Sequence, residues 1–165
     1  MKKALMIGID TGSSSTKVSL FDVEGQLVRE SSFQMRITYP AVDQAEIPLE
    51  ELFRNIVQHL RELVKGYEDA IKGIGLSVAS PTLVFFRRDL EALRPGIAYF
   101  DNRSKGEVTE AVARFGGAEA YFGRVGNNPS PSTCVAATVQ WVRAHEPELW
   151  KETYKIGFLN SYLGG

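Results

Sequence analysis

Cysteine is almost missing from this chain of 165 residues. With Cys134 alone, no internal disulfide can form, which suits a reducing compartment and predicts a cytoplasmic protein. Cys134 has no histidine near it in sequence and reads as a small core residue rather than a nucleophile. Histidine is nearly as scarce, and His59 falls off the apolar stripe of its segment, where it reads as a solvated surface residue. No apolar run approaches a membrane span. The first apolar run reaches Asp10 without a cleavage site, so no signal peptide is expected. A net charge of −1 removes the electrostatic case for nucleic acid or an anionic membrane as partner. Repeats, low-complexity tracts and Pro- or Gly-rich linkers are also absent. The chain therefore reads as one domain over residues 1–165, and its 44% hydrophobic content is enough for a core.

What is present is concentrated at the start. The run Ala4 to Ile9 has the continuous apolar character of a strand buried on both faces. It ends in Asp10. Gly12, Ser13, Ser14, Ser15 and Thr16 follow, and Lys17 opens a second, alternating strand through Val18 and Leu20. Gly12 permits positive φ and close backbone approach to an anion. Backbone N–H groups in such a turn, the hydroxyls of residues 13–16 and the compact charge of Lys17 all suit phosphate. Asp10 would repel phosphate unless a cation lay between them, and a hard carboxylate is what Mg²⁺ takes. The pattern therefore points to nucleotide chemistry, with Asp10 as the metal ligand and Gly12, Ser13, Ser14 and Lys17 on phosphate. Neither the Walker A spacing nor the three-glycine dinucleotide fingerprint occurs here. The alternative for this segment is a polar-tipped surface hairpin that binds nothing.

Beyond the hairpin, Asp22 to Gly25 reads as a turn and Gln26 to Thr38 as a third strand. A loop follows to Pro48. Leu49, Leu52, Phe53, Ile56, Val57, Leu60, Leu63 and Val64 then recur at helical spacing. Ile71 to Ser77 reads as a buried strand, Thr82 to Phe86 as another, and Ile97 to Phe100 as a short one. Ser104 with Glu107 predicts a capping box on a helix to about Arg114, stopped by Gly116-Gly117. A short helix to Phe122, a loop over Gly126 to Pro131, and a helix from Thr133 to His145 closed by Pro147 complete the pattern. Ile156 to Leu159 reads as a strand or a helix start. The fold class is α/β with a mixed sheet.

Five segments, in this order, resemble the FGGY carbohydrate kinases of the actin/hexokinase/Hsp70 superfamily. They are Ile9 to Lys17, Gln44 to Pro48, Gly73 to Ser77, Arg94 to Arg103, and Trp141 to Trp150, the last very like a segment of xylulose kinases. The resemblance covers nearly the whole chain. It implies a ribonuclease-H-like fold, with this chain as the N-terminal, sugar-binding side and the ATP-binding domain absent. It implies transfer of the γ-phosphoryl of MgATP to a sugar or polyol hydroxyl. Under it, Asp10 orients Mg²⁺ or its water, while Gly12, Ser13 and Ser14 contact the β/γ phosphates and Lys17 lies near the transferred group. Tyr99 packs against the substrate, and Ser80, Tyr99 and Asp101 form the sugar side. Asp101 and Arg103 can also order the site as a bidentate ion pair.

Some positions depart from the family pattern. Val78 to Thr82 replaces the Gln-Met-His of xylulose kinases and the Arg-Glu of glycerol kinases; Thr138 stands where Lys is common, and Ser161 where Asp is. The family's catalytic base lies beyond Gly165, so no catalytic residue is assigned here and no kinase activity is expected of the chain alone. Its expected partners are the sugar or polyol and the remainder of its own polypeptide. Unpaired sheet edges predict self-association, a homodimer in its simplest form. Two other readings stand beside the kinase: a non-catalytic sugar- or partner-binding module, and an acetate-kinase-like or chaperone-like ATPase.

Overall fold

The computed structural model describes residues 4–165, which form two compact units. The first takes residues up to 36, 48–79 and 163–165; the second takes 37–47 and 80–162.

The first unit is built on the opening hairpin. β1 (Leu5–Thr11) and β2 (Ser15–Asp22) pair antiparallel from Leu5↔Asp22 to Thr11↔Thr16. Asp22 shapes the next turn by accepting the N–H groups of Glu24 and Gln26, with Gly25 at φ 81°. β3 (Leu27–Gln34) returns antiparallel to β2. On the other side of β1 lies β5 (Ile71–Val78), parallel, giving the order β3-β2-β1-β5. Leu5, Ile7 and Ile9 are buried while Met6 is 42% exposed. The apolar run of β1 is thus covered on one face, not on both as its composition suggested.

α1 (Leu49–Leu63) packs on β2 and β3 through Leu49, Leu52, Ile56 and Leu63. Glu50 and Glu51 stand in its first turn, where the helix dipole favours anions. At its far end Arg29 Nη1 donates to the carbonyls of Leu63 and Lys65, and the guanidinium lies 4.6 Å from the Tyr67 ring centroid. His59 is not the solvated residue expected. Its Nδ1 shares a 2.6 Å hydrogen bond with Ser31, and its ring meets Phe33 at 4.8 Å. An imidazole just off the apolar stripe reaches the polar side chains of β3. β5 also differs from expectation: it is an edge strand, with Ile74 57% and Leu76 38% exposed. A short apolar run reads the same whether a neighbour covers it or not.

The second unit carries a four-stranded antiparallel sheet. β4 (Glu46–Ile47), β6 (Leu83–Phe86), β7 (Gly96–Ile97) and β8 (Lys155–Phe158) take the order β4-β7-β6-β8. Leu83, Phe85 and Ile97 pack with Val142 of α4 (Val135–His145). A second cluster joins Val108 of α2 (Lys105–Phe115), Tyr121 of α3 (Ala118–Val125), and Cys134 and Ala137. Cys134 is therefore the core residue expected.

Gly116, at φ 88°, ends α2 as anticipated. Ser104 precedes α2 without the expected side-chain cap. Its buried hydroxyl instead shares a 3.0 Å hydrogen bond with Thr138 of α4. Pro147 follows the end of α4 and also opens α5 (Pro147–Glu152), as proline's fixed φ allows at the first helical position. α6 (Leu159–Gly164) follows β8 directly. Among the described residues no helix is long and apolar enough to cross a membrane.

Candidate active site

In the first unit, the tip between β1 and β2 sets the geometry. Side chains alternate along β1, so Asp10 points away from the face that buries Ile9. Its cross-strand partner is Lys17. Both are exposed, and one parallel register step places Ser77 of β5 beside Asp10. Ser13 and Ser14 form the exposed bend.

Three features of the tip differ from what its sequence suggests. Gly12 is not among the residues at positive φ. It is needed because the Ser15 carbonyl approaches, and a Cβ there would sit 3.2 Å from that oxygen. Its N–H donates to the same carbonyl at 2.9 Å, so Gly12 shapes the turn. Thr16 is fully buried, on the face of Val18 and Leu20, and is no phosphate donor. Thr16 Oγ1, and Thr11 Oγ1 across the ladder from it, have no hydrogen-bond partner among the described residues. The Ser14 carbonyl accepts the Met35 N–H at 2.9 Å, which ties the tip to the chain beyond β3. What stays outward is one carboxylate, one ammonium and the hydroxyls of Ser13 and Ser14.

This set fits a particular kind of metal. No cluster of three or more metal-ligating side chains occurs among the described residues. A lone exposed carboxylate does not make a cage for a resident ion. It does suit Mg²⁺, which keeps several waters and is held by one or two carboxylates together with substrate phosphates.

In the second unit, Tyr99 follows β7 in a turn whose backbone is pinned to the loop before β4. The Ala98 N–H donates to the Ala45 carbonyl at 3.0 Å and the Asn102 N–H to that of Asp43 at 2.8 Å. Lys105 Nζ lies 2.8 Å from Asp43. Asp101 closes the turn from inside. Its Oδ2 accepts the Ala45 N–H at 2.6 Å and Arg103 Nη2 at 3.0 Å, and its Oδ1 accepts Arg103 N–H and Nε at 2.9 Å each. With both oxygens used and 5% exposure, Asp101 presents no free lone pair outward.

Arg103 continues the network. Its Nη2 donates to Glu46 Oε1 at 2.7 Å and its guanidinium lies 5.0 Å from the Trp141 ring centroid. Burial alone would lower its pKa, but hydrogen bonds with Asp101 and Glu46 outweigh this and raise it. Arg94 donates to that same Glu46 oxygen and to both oxygens of Glu146.

Glu46, Arg94 and Glu146 do not stand out in the sequence as site residues. The available signal was the pair of arginines on either side of the aromatic, with Glu46 and Glu146 as acids without an assigned role in two of the other motifs. Tyr99 itself is half-buried, edge-on to Phe100 at 5.2 Å. It lines a notch of about 10 Å³ together with Pro81, Val135 and Thr138, room for a single water. Ser80 is exposed at the start of this unit's second segment.

The model of the FGGY family of carbohydrate kinases, N-terminal domain, matches residues 5–164. The gluconokinase of Bacillus subtilis is 27% identical over 96% of this chain and 31% of its own length. The xylulose kinase of Staphylococcus epidermidis is 26% identical over 99% of this chain and 32% of its own length. The crystal structure of gluconate kinase from Lactobacillus acidophilus superposes with a TM-score of 0.88 at 24% identity, covering 98% of this chain and 32% of that one. The fold is therefore the ribonuclease-H-like α/β fold of these kinases. The chain spans about a third of the length of the relatives it matches.

Proposed function

The chain belongs to the FGGY family of carbohydrate kinases, and from there we propose that it forms the sugar-side, phosphate-contacting part of an ATP-dependent kinase acting on a sugar or polyol hydroxyl. The observation that carries this reading is the tip of the first hairpin, where Asp10 and Lys17 are cross-strand partners on the exposed face beside the Ser13-Ser14 bend.

Phosphoryl transfer asks a protein for charge neutralisation and alignment more than for covalent chemistry. Lys17 places a positive charge beside the phosphate oxygens, and the hydroxyls of Ser13 and Ser14 donate to them. Gly12 lets the turn close tightly enough to present those groups together. Asp10 would hold Mg²⁺ arriving with the nucleotide; bound there, the ion neutralises phosphate charge. Tyr99 offers an aromatic face to the C–H surface of the sugar, and Ser80 a hydroxyl. Asp101 serves the substrate through the turn that carries Tyr99.

The relatives are named for gluconate and xylulose, which makes these the first two sugars to assay. The remainder of a polypeptide as long as those relatives is the partner proposed for the free edge of β5. A chain lacking that remainder is proposed to pair with a second copy. A single buried cysteine is consistent with a cytoplasmic location.

The test is sugar-dependent ADP release by the full-length polypeptide with Asp10→Asn. The kinase reading expects a loss of about 10²-fold or more in kcat at saturating sugar, comparable to removing one preorganised charge-stabilising group. Sugar binding without turnover in the wild type, unchanged by Asp10→Asn, would instead identify a non-catalytic binding module.

A further inference from the structure

We infer that Glu146, at the junction of α4 and α5, is a positioning residue for Tyr99, acting through Arg94 and Arg103. The inference rests on reading Tyr99 as the sugar-facing aromatic.

Arg94 and Arg103 bracket the segment that carries Tyr99. Their guanidinium groups converge on one oxygen, Glu46 Oε1. Two like charges held that close repel in a buried setting, and their side chains are only 9% and 1% exposed. One carboxylate cannot neutralise both. Asp101 supplies the second negative charge for Arg103. Glu146 supplies it for Arg94, and its Oε1 also stands 3.8 Å from Arg103 Nη1, a buried donor without a hydrogen-bond partner among the described residues. Without Glu146, Arg94 is left with only the Glu46 oxygen that it shares with Arg103, and that end of the aromatic segment loses its own anchor.

Glu146 is well placed to act as an anchor. Its N–H donates to the Val142 carbonyl at 2.8 Å and its own carbonyl accepts the Trp150 N–H at 2.9 Å. Two helices therefore fix its backbone, and Pro147 restricts the step between them. The same α4 that ends beside Glu146 supplies Val135 and Thr138 to the notch beside Tyr99. The ion pairs thus set the gap between Tyr99 and α4. This gives a purpose to the Trp141 to Trp150 motif, which phosphate and sugar contacts leave unused.

The experiment uses Glu146→Gln, which keeps the shape and removes the charge, in the full-length polypeptide. Kinetics are read with gluconate and xylulose. We expect the sugar KM to rise about tenfold, while the KM for MgATP and kcat stay within about twofold. Glu146→Asp, which restores the charge on a shorter arm, recovers part of the loss. In parallel, the protein is labelled with 3-fluorotyrosine and its fluorine spectrum recorded, with the Tyr99 line assigned through Tyr99→Phe. In Glu146→Gln the Tyr99 line shifts or broadens while the Tyr67 line does not.

A folded Glu146→Gln protein with an unchanged Tyr99 line and an unchanged sugar KM overturns the inference. So does an equal rise in both KM values, which is what a merely structural role produces. If the wild type phosphorylates neither sugar, the kinase reading loses its support and the fluorine line alone decides on positioning. If Glu146→Gln does not fold, Glu146→Asp is judged by the same criteria.

Discussion

Arg103 and Glu46 lie 57 positions apart in the chain and meet at 2.7 Å inside the second unit. The contact joins the short strand β4 to the turn that follows Tyr99, and Asp101 completes a fork on the same guanidinium. Arg103→Met removes the charge and leaves Asp101 and Glu46 buried with too few partners. The expected cost is about 3–5 kcal/mol of unfolding free energy. Arg103→Lys keeps the charge but cannot reproduce the fork, so an intermediate loss follows. Urea unfolding followed by tryptophan fluorescence measures both, since Trp141 lies directly under this guanidinium.

Tyr121 holds its proton unusually tightly in the same unit. Hydrogen bonding to Cys134 first, and burial second, push its phenol up to about 12. A pKa raised in the folded state means the fold holds that proton more tightly than the unfolded chain does. The resulting stability is complete below the ordinary tyrosine value of about 10 and is lost as pH rises toward about 12. An ultraviolet titration of tyrosinate is expected to show one late-ionising component. Tyr121→Phe should remove it and flatten the fall in stability over that window.

β5 offers a free backbone edge with two apolar side chains on one face, Ile74 and Leu76. Neither proline nor a run of charges guards it; Lys72 is the strand's one charged residue. The 165-residue chain is therefore expected to elute from size-exclusion chromatography at a size that grows with concentration. Ile74→Lys should shift it toward the monomer without lowering the melting temperature. A wild-type chain that stays monomeric at high concentration would contradict this.

The chain alone is expected to show no sugar-dependent ADP formation. Asp10 is proposed for the metal, Asp101 has both oxygens bonded, and Glu46 and Glu146 are held by arginines. None of these carboxylates is free to take a proton from an attacking hydroxyl. A coupled assay on residues 1–165 checks this, and turnover above background would refute it.

Local pattern makes part of this molecule legible in its sequence. The hairpin of β1 and β2, the apolar stripe of α1 and the Gly116 stop of α2 each depend on neighbours within a turn or two. Thr16 was misread as a phosphate donor, although it shares the alternation of Val18 and Leu20, which places it in the core. The role of Gly12 was harder, because a close carbonyl and a positive φ favour the same residue. The Asp101–Arg103 pair was legible, but Glu46, Arg94 and Glu146 escaped because they reach Arg103 only when β4, the aromatic turn and the α4–α5 junction are in place. The division into two units escaped for a related reason. The chain passes between them at residues 36–37, 47–48, 79–80 and 162–163, and composition marks none of these crossings as a linker.

The hairpin tip as a grip for phosphate through magnesium is the claim on which the kinase reading most depends. The direct measurement is an amide NMR titration of the ¹⁵N-labelled chain with inorganic tripolyphosphate, with and without Mg²⁺. Saturable shifts are predicted at Ser13, Ser14 and Lys17 that need Mg²⁺ and vanish in Asp10→Asn. Shifts confined to other surfaces, or unchanged by removing either Mg²⁺ or the Asp10 carboxylate, would contradict it.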